Sequence, residues 1–168
     1  MTDTFPAFSV SPVPQPFPGV QAPELFRGIY GMPMFVTVPT DDLDATTEFW
    51  VRGLGFFELF SAPGTLVHLR RWAFQDVLLV PAPPATGPVP LSVSFSCVLD
   101  QVDEIAVACE ELVPGSTTGP DLQPWGTVDL VVVTPERTRV VMTAARPWDA
   151  SSAEAQHVRD ELGFGPEG

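Results

Sequence analysis

Apolar and polar positions alternate with a period of two in several short runs and recur near a period of 3.6 in two longer ones. The order of these runs repeats along the chain. Met34, Val36 and Val38 alternate with Phe35 and Thr37, which predicts a strand with two different faces. Thr40-Asp41-Asp42 then opens a helix, with Thr40 as its cap and the acids suited to its positive end. Leu43, Thr47, Trp50 and Leu54 recur at helical spacing, and Gly53 or Gly55 ends the helix. Runs at 56–60, 66–71 and 77–80 predict three more strands, broken by Ala62-Pro63-Gly64 and by residues 73–76.

A second copy follows. Residues 81–90 hold five prolines in ten positions, a semi-rigid linker. Leu91, Val93, Phe95 and Cys97 then point one way and Ser92, Ser94 and Ser96 the other, giving one buried and one small polar face. Asp100 is placed to cap a helix whose apolar positions are Val102, Ile105, Ala106 and Cys109, a one-sided amphipathic pattern that Gly115 stops. A short strand over 116–122 is the weakest element. Val128, Leu130 and Val132 alternate next, and a turn at 134–138 leads to a last strand over 139–143. The repeat predicts an α+β fold of two βαβββ modules, their eight strands forming a curved sheet around a cleft with the helices outside.

The implied organisation is a Pro-rich N-terminal arm at 1–28, a domain at 29–144, and a C-terminal tail with a short helix at 145–168. The domain divides into module one (29–80), the linker (81–90) and module two (91–144). The arm carries Phe5, Phe8 and Phe17 among its prolines, which is apolar for an inert tail; residues 1–23 are expected to be extended or disordered rather than helical, and dispensable for the fold.

Composition removes several function classes. Eight arginines, no lysine and a net charge of −13 argue against nucleic acid, which needs a basic face. Many acids fall on the two predicted helices, where they solvate exposed faces. No apolar run is long enough to span a membrane and no secretory leader is visible. Cys97 and Cys109 read as small buried thiols, so a cytoplasmic location is expected. Cys/His metal spacing, a Gly-rich phosphate loop and a Ser/His/Asp arrangement are all missing.

The sequence features Asp42-Leu43-Asp44, Phe49-Trp50 and Leu54-Gly55-Phe56, the second copy beginning Gln101-Val102-Asp103, and the Gln123-Pro124-Trp125-Gly126 turn resemble the vicinal-oxygen-chelate superfamily. That superfamily holds glyoxalases, extradiol dioxygenases, fosfomycin-modifying enzymes and bleomycin-resistance proteins. The resemblance covers roughly residues 29–144. It implies that catalytic members would carry divalent-metal ligands at positions occupied here by Phe35, Ser94, Leu79 and Val141, none of which is a good ligand. Counting back seven positions from Asp42 gives Phe35, and from Gln101 gives Ser94. The turn before the last strand reads Thr134-Pro135-Glu136-Arg137.

The candidate ligand-binding residues are therefore Phe35, Thr37, His68, Trp72, Ser92, Ser94, Trp125, Asp129 and Val141, with no metal, no cofactor and no catalytic residue expected. Trp125 and Trp72 offer stacking faces at the cleft edge, and Asp129 is out of phase with its apolar neighbours. His157 reads as a surface residue. The expected function is metal-free binding and sequestration of a bulky aromatic natural product or antibiotic, giving (self-)resistance. By resemblance the protein is a homodimer. The alternative is a metal-independent enzyme of cyclase or isomerase type, with Asp129 or His68 as acid or base.

Overall fold

The computed structural model describes residues 14, 16, 19–27, 35–83, 92–124, 126–147, 149, 151–153, 155, 156 and 160. Alternating β-branched and aromatic residues build β1 (Val36–Thr40), followed by α1 (Leu43–Glu48). The helix widens into a π-helical turn (Phe49–Gly53) before β2 (Phe57–Ala62), β3 (Leu66–Arg70) and β4 (Asp76–Pro81). Module two repeats the order with β5 (Ser92–Cys97), α2 (Leu99–Leu112), β6 (Thr117–Leu122), β7 (Thr127–Val133) and β8 (Arg139–Ala145). The βαβββ repeat is thus present twice. Its strands form two four-stranded sheets that do not close: sheet A in the order β1-β4-β3-β2, and sheet B in the order β5-β8-β7-β6. In each, the first and last strands of the module pair in parallel and the rest are antiparallel.

Local chemistry departs from the sequence reading at both helix starts. Asp42, not Thr40, caps α1: its Oδ1 accepts from the Ala45 N–H at 2.9 Å. Thr40 turns inward, where its hydroxyl lies 2.7 Å from that of Thr46. Val98 stands at the cap of α2, and Gln101 Oε1 accepts from its N–H at 3.4 Å, while Asp100 sits in the first turn. The glycine of the π-helical turn has a packing reason. It lies on α2 so closely that a Cβ on Gly53 would stand 3.0 Å from Cys109 Sγ, so only glycine fits without a shift.

One core joins the modules. Val38, Leu69, Val77 and Leu79 of sheet A share it with Phe95, Leu130, Val140 and Met142 of sheet B, and Trp50 and Cys109 fill the helical layer. Trp50, Phe56 and Phe95 meet edge to face, with centroids 5.1–6.1 Å apart. Two polar ties cross the same junction. Trp50 Nε1 donates to Glu136 Oε1 at 3.1 Å, and Arg71 donates to Ser96 O at 2.5 Å and to Gln101 Oε1 at 2.8 Å. Burial pulls the Arg71 pKa down to about 10. Leu79 is fully buried in this core, so the sequence reading that placed it at an inner site position is corrected: strand alternation gives the other face of β4 to Asp76, Leu78 and Val80.

Both thiols are buried, as their phase predicts, and desolvation raises Cys97 to about 11 and Cys109 to about 12. Most of the linker (84–90), Leu91, Phe5, Phe8, Phe17 and His157 lie outside the described residues. The described part of the arm touches both modules: Phe26 N–H donates to Arg71 O at 3.0 Å, and Pro14, Pro16 and Val20 border a small pocket with Cys97, Val98 and Ala145.

Candidate functional site

Each sheet packs its helix on one face and keeps an open face on the other. The helix-bearing faces of both sheets contribute to one core, which leaves each sheet an open face of its own. The candidate residues divide between them: Phe35, Thr37 and His68 on sheet A, and Ser92, Ser94, Asp129 and Val141 on sheet B. Among the described residues, no hydrogen bond or ring contact links the two sets.

On sheet A, register sets Phe60 beside His68, His68 beside Leu78, and Leu78 beside Thr37. Phe35 stands at the start of β1, 44% exposed, and Phe60 at the sheet's other edge is 58% exposed. Between them lies a charged cluster that the sequence reading missed. Asp76 Oδ1 accepts from Arg70 Nε and from His68 Nε2, both at 2.7 Å. A carboxylate can only accept, so the proton of the second bond sits on His68 Nε2. Asp76 has no side-chain exposure and Arg70 3%, so this is a buried, neutralised pair with a half-buried imidazole at its edge. The arm covers one end: Arg27 stacks 4.4 Å over the Phe57 ring, and Phe26 lies 5.9 Å from the Arg70 guanidinium.

On sheet B the open face is hydroxylated. Ser92 accepts from Arg139 Nη1 at 2.8 Å, and Ser94 pairs in register with Val141, which is 8% exposed. Asp129 is half-buried, and its Oδ1 accepts from Thr127 at 2.8 Å and Thr143 at 2.7 Å. Ser96 completes that row beside Thr143.

Trp72 is corrected. It is 1% exposed with Arg71 4.4 Å over its ring, so it supports the β3–β4 turn and offers no stacking face. Trp125 lies outside the described residues; beside it, the Gly126 N–H donates to Gln123 O at 3.0 Å. Phe60 was legible only with the bulge at 58–60 known, because the extra residue shifts its phase.

The arrangement matches known architectures. No family model and no curated sequence matches the chain. Solved structures do. A fosfomycin resistance protein from Listeria monocytogenes aligns with TM-score 0.56 at 14% identity, covering 73% of this chain and 96% of that one. A bleomycin resistance determinant encoded on the transposon Tn5 aligns with TM-score 0.51 at 24% identity, covering 67% and 96%. A bleomycin-binding protein solved with bleomycin gives TM-score 0.51 at 23% identity, covering 67% and 98%. The chain has the vicinal-oxygen-chelate fold.

The resemblance implies divalent-metal ligands in catalytic members, and the described residues at those positions do not fit such an ion. Among the described residues no three His, Cys, Asp or Glu side chains converge. The imidazole–carboxylate pair His68–Asp76 already holds the Arg70 guanidinium on the same oxygen, and a divalent cation there would have to displace a buried cation. Phe35, Ser94 and Val141 supply no ligand of the usual kind. No helix among the described residues is long and apolar enough to cross a membrane.

Proposed function

We propose that this protein binds a bulky aromatic natural product or antibiotic without a metal and sequesters it, giving resistance. The observation that carries this reading is the open face of sheet A, where Phe35 and Phe60 are 44% and 58% exposed around Thr37, Leu78 and His68. Exposed rings on one face give a planar ligand apolar area and edge contacts. The hydroxyls of Ser92 and Ser94 with Asp129 supply polar contacts on the other sheet. The groove of this reading lies between sheet A of one protomer and sheet B of its partner. The homodimer expected from the resemblance is part of this proposal, with Trp125 at the groove's border. The bleomycin-binding structural neighbour supports a natural product as ligand.

The test adds a planar aromatic antibiotic, reads ring contacts by fluorescence, and recovers the compound for mass spectrometry. Saturable binding at one groove per protomer, with the compound unchanged, is the expected result. A recovered compound of altered mass, lost on Asp129→Asn or His68→Ala, overturns sequestration in favour of a metal-independent enzyme. Sequestration is favoured because Asp129 and His68 stand on different sheets, each already held by its own partners.

A further inference from the structure

A second concave surface lies on the helix-bearing side of sheet A, away from both open faces. It is a groove of about 590 Å³ between α1 with its π-helical turn and the β2–β3 hairpin. That volume falls within the range of roughly 300–1,000 Å³ typical of small-molecule sites. Leu43, Val51 and Val67 form its apolar wall. Thr47 also lines it, and the Thr47 hydroxyl is buried without a hydrogen-bond partner among the described residues. The oxygen itself is covered, so Thr47 presents its apolar part to the groove. The rim is acidic. Asp44, Glu48 and Glu58 line it against one cation, Arg52, which is already paired with Glu48. Three carboxylates and one guanidinium leave the rim with two negative charges, on a chain whose net charge is −13.

We propose that this groove is a separate ligand site for a cationic amphiphile, an amine on an apolar body. The body lies on Leu43, Val51 and Val67, and the ammonium sits among the rim carboxylates. An anionic ligand meets repulsion at the same rim, so the site discriminates by charge. This reading stands independently of the open-face function.

Three probes with one body separate the contributions: 4-phenylbutylamine, 4-phenylbutanol and 4-phenylbutyrate, titrated into the full-length protein at low salt and followed by amide NMR shifts. The amine is expected to move amides of 43–52 and 58–67 and to bind about tenfold tighter than the alcohol, with the carboxylate not binding. Raising salt to about 0.5 M should erase most of that advantage, since exposed charges are then screened within a few ångströms. Glu48→Gln combined with Glu58→Gln, both exposed and remote from the core, should bring the amine down to the alcohol's affinity. Phe35→Ala should leave it unchanged. Equal binding of all three probes, shifts confined to the open faces, indifference of the amine to the double substitution, or no binding of the amine would each overturn the proposal.

Discussion

On the open face of sheet A, a fully buried carboxylate, Asp76, is clamped by an imidazole and a guanidinium between two exposed phenylalanines. On the matching face of sheet B, the half-buried Asp129 is held by two threonine hydroxyls beside a row of serines. The two modules share topology and one interior, yet their outer faces carry different chemistry. Packing constrains the shared side, because both sheets and both helices must fill the same core. The open faces are under no such demand and have become one aromatic and one hydroxylated wall. The same comparison separates two kinds of carboxylate. Asp76 neutralises a buried cation and is structural, whereas Asp129 is reachable and is the better candidate to meet a ligand.

That contrast breaks most sharply under substitution of the two acids. Asp76→Ala leaves Arg70 buried without its carboxylate and should cost about 3–5 kcal/mol of unfolding free energy. Asp129→Ala removes two hydroxyl contacts at a half-buried site and should cost about 1–2 kcal/mol. Denaturant melts of both variants decide it, and equal losses would erase the distinction.

The shared interior is tested next. Trp50→Phe keeps the ring stack with Phe56 and Phe95 but removes the bond to Glu136, for an expected loss of about 1–3 kcal/mol. In a Glu136→Gln background the same change should cost less, because the two residues are coupled across the junction.

A smaller effect is the pH profile. Burial raises the Glu136 pKa above its ordinary value of 4.5, against the hydrogen bonds from Thr134 and Trp50. The folded state therefore holds this proton more tightly than the unfolded chain does. Its contribution is fully present below the unfolded pKa and is lost as pH rises through the folded one. Glu110 has the opposite sign. Thr117 and the Gly115 N–H hold its carboxylate below the usual range, so its stabilisation is present at neutral pH and lost on acidification. Melts across the acid-to-neutral range should show Glu136→Gln removing a decline toward neutral pH, and Glu110→Gln removing a decline toward acid.

The smallest stability change is expected at the aromatic wall. Phe35→Ala and Phe60→Ala lie on exposed positions and should shift stability by no more than about 0.5 kcal/mol. They should nevertheless weaken binding of a planar aromatic ligand by roughly 1–3 kcal/mol, read by titration. A large melting shift with unchanged binding would assign these rings to the fold.

Much of the fold was legible because local pattern and burial agree. Phe95 and Cys97 are buried while Ser92 and Ser94 are exposed, and Val102, Ile105 and Cys109 form the buried stripe of α2. The weak strand expected over 116–122 is β6, which tolerates Pro120 because it is an edge strand. What escaped depends on partners brought together by register or across the junction. Residues 73–76 read as a break, yet Asp76 begins β4 because its cation and imidazole stand opposite on β3. Trp72 read as a groove edge because nothing local shows Arg71 lying over it. The division of the candidate residues between two sheets was equally hidden, since alternation gives each strand's sides but not which strands join in one sheet.

The bond from Trp50 to Glu136 spans 86 residues of sequence, which gives the junction a consequence for biosynthesis. At typical translation rates of roughly 5–20 residues per second, Trp50 would leave the ribosome about 4–17 s before its partner is made. Throughout that interval the first half of the nascent chain displays Trp50, Phe56 and the face of the π-helical turn to water, ready to associate wrongly or to engage a chaperone. The second half has no such wait, since its core-facing surface emerges onto a waiting template. Selection for solubility during synthesis should therefore fall unequally on the two halves, although they have the same topology.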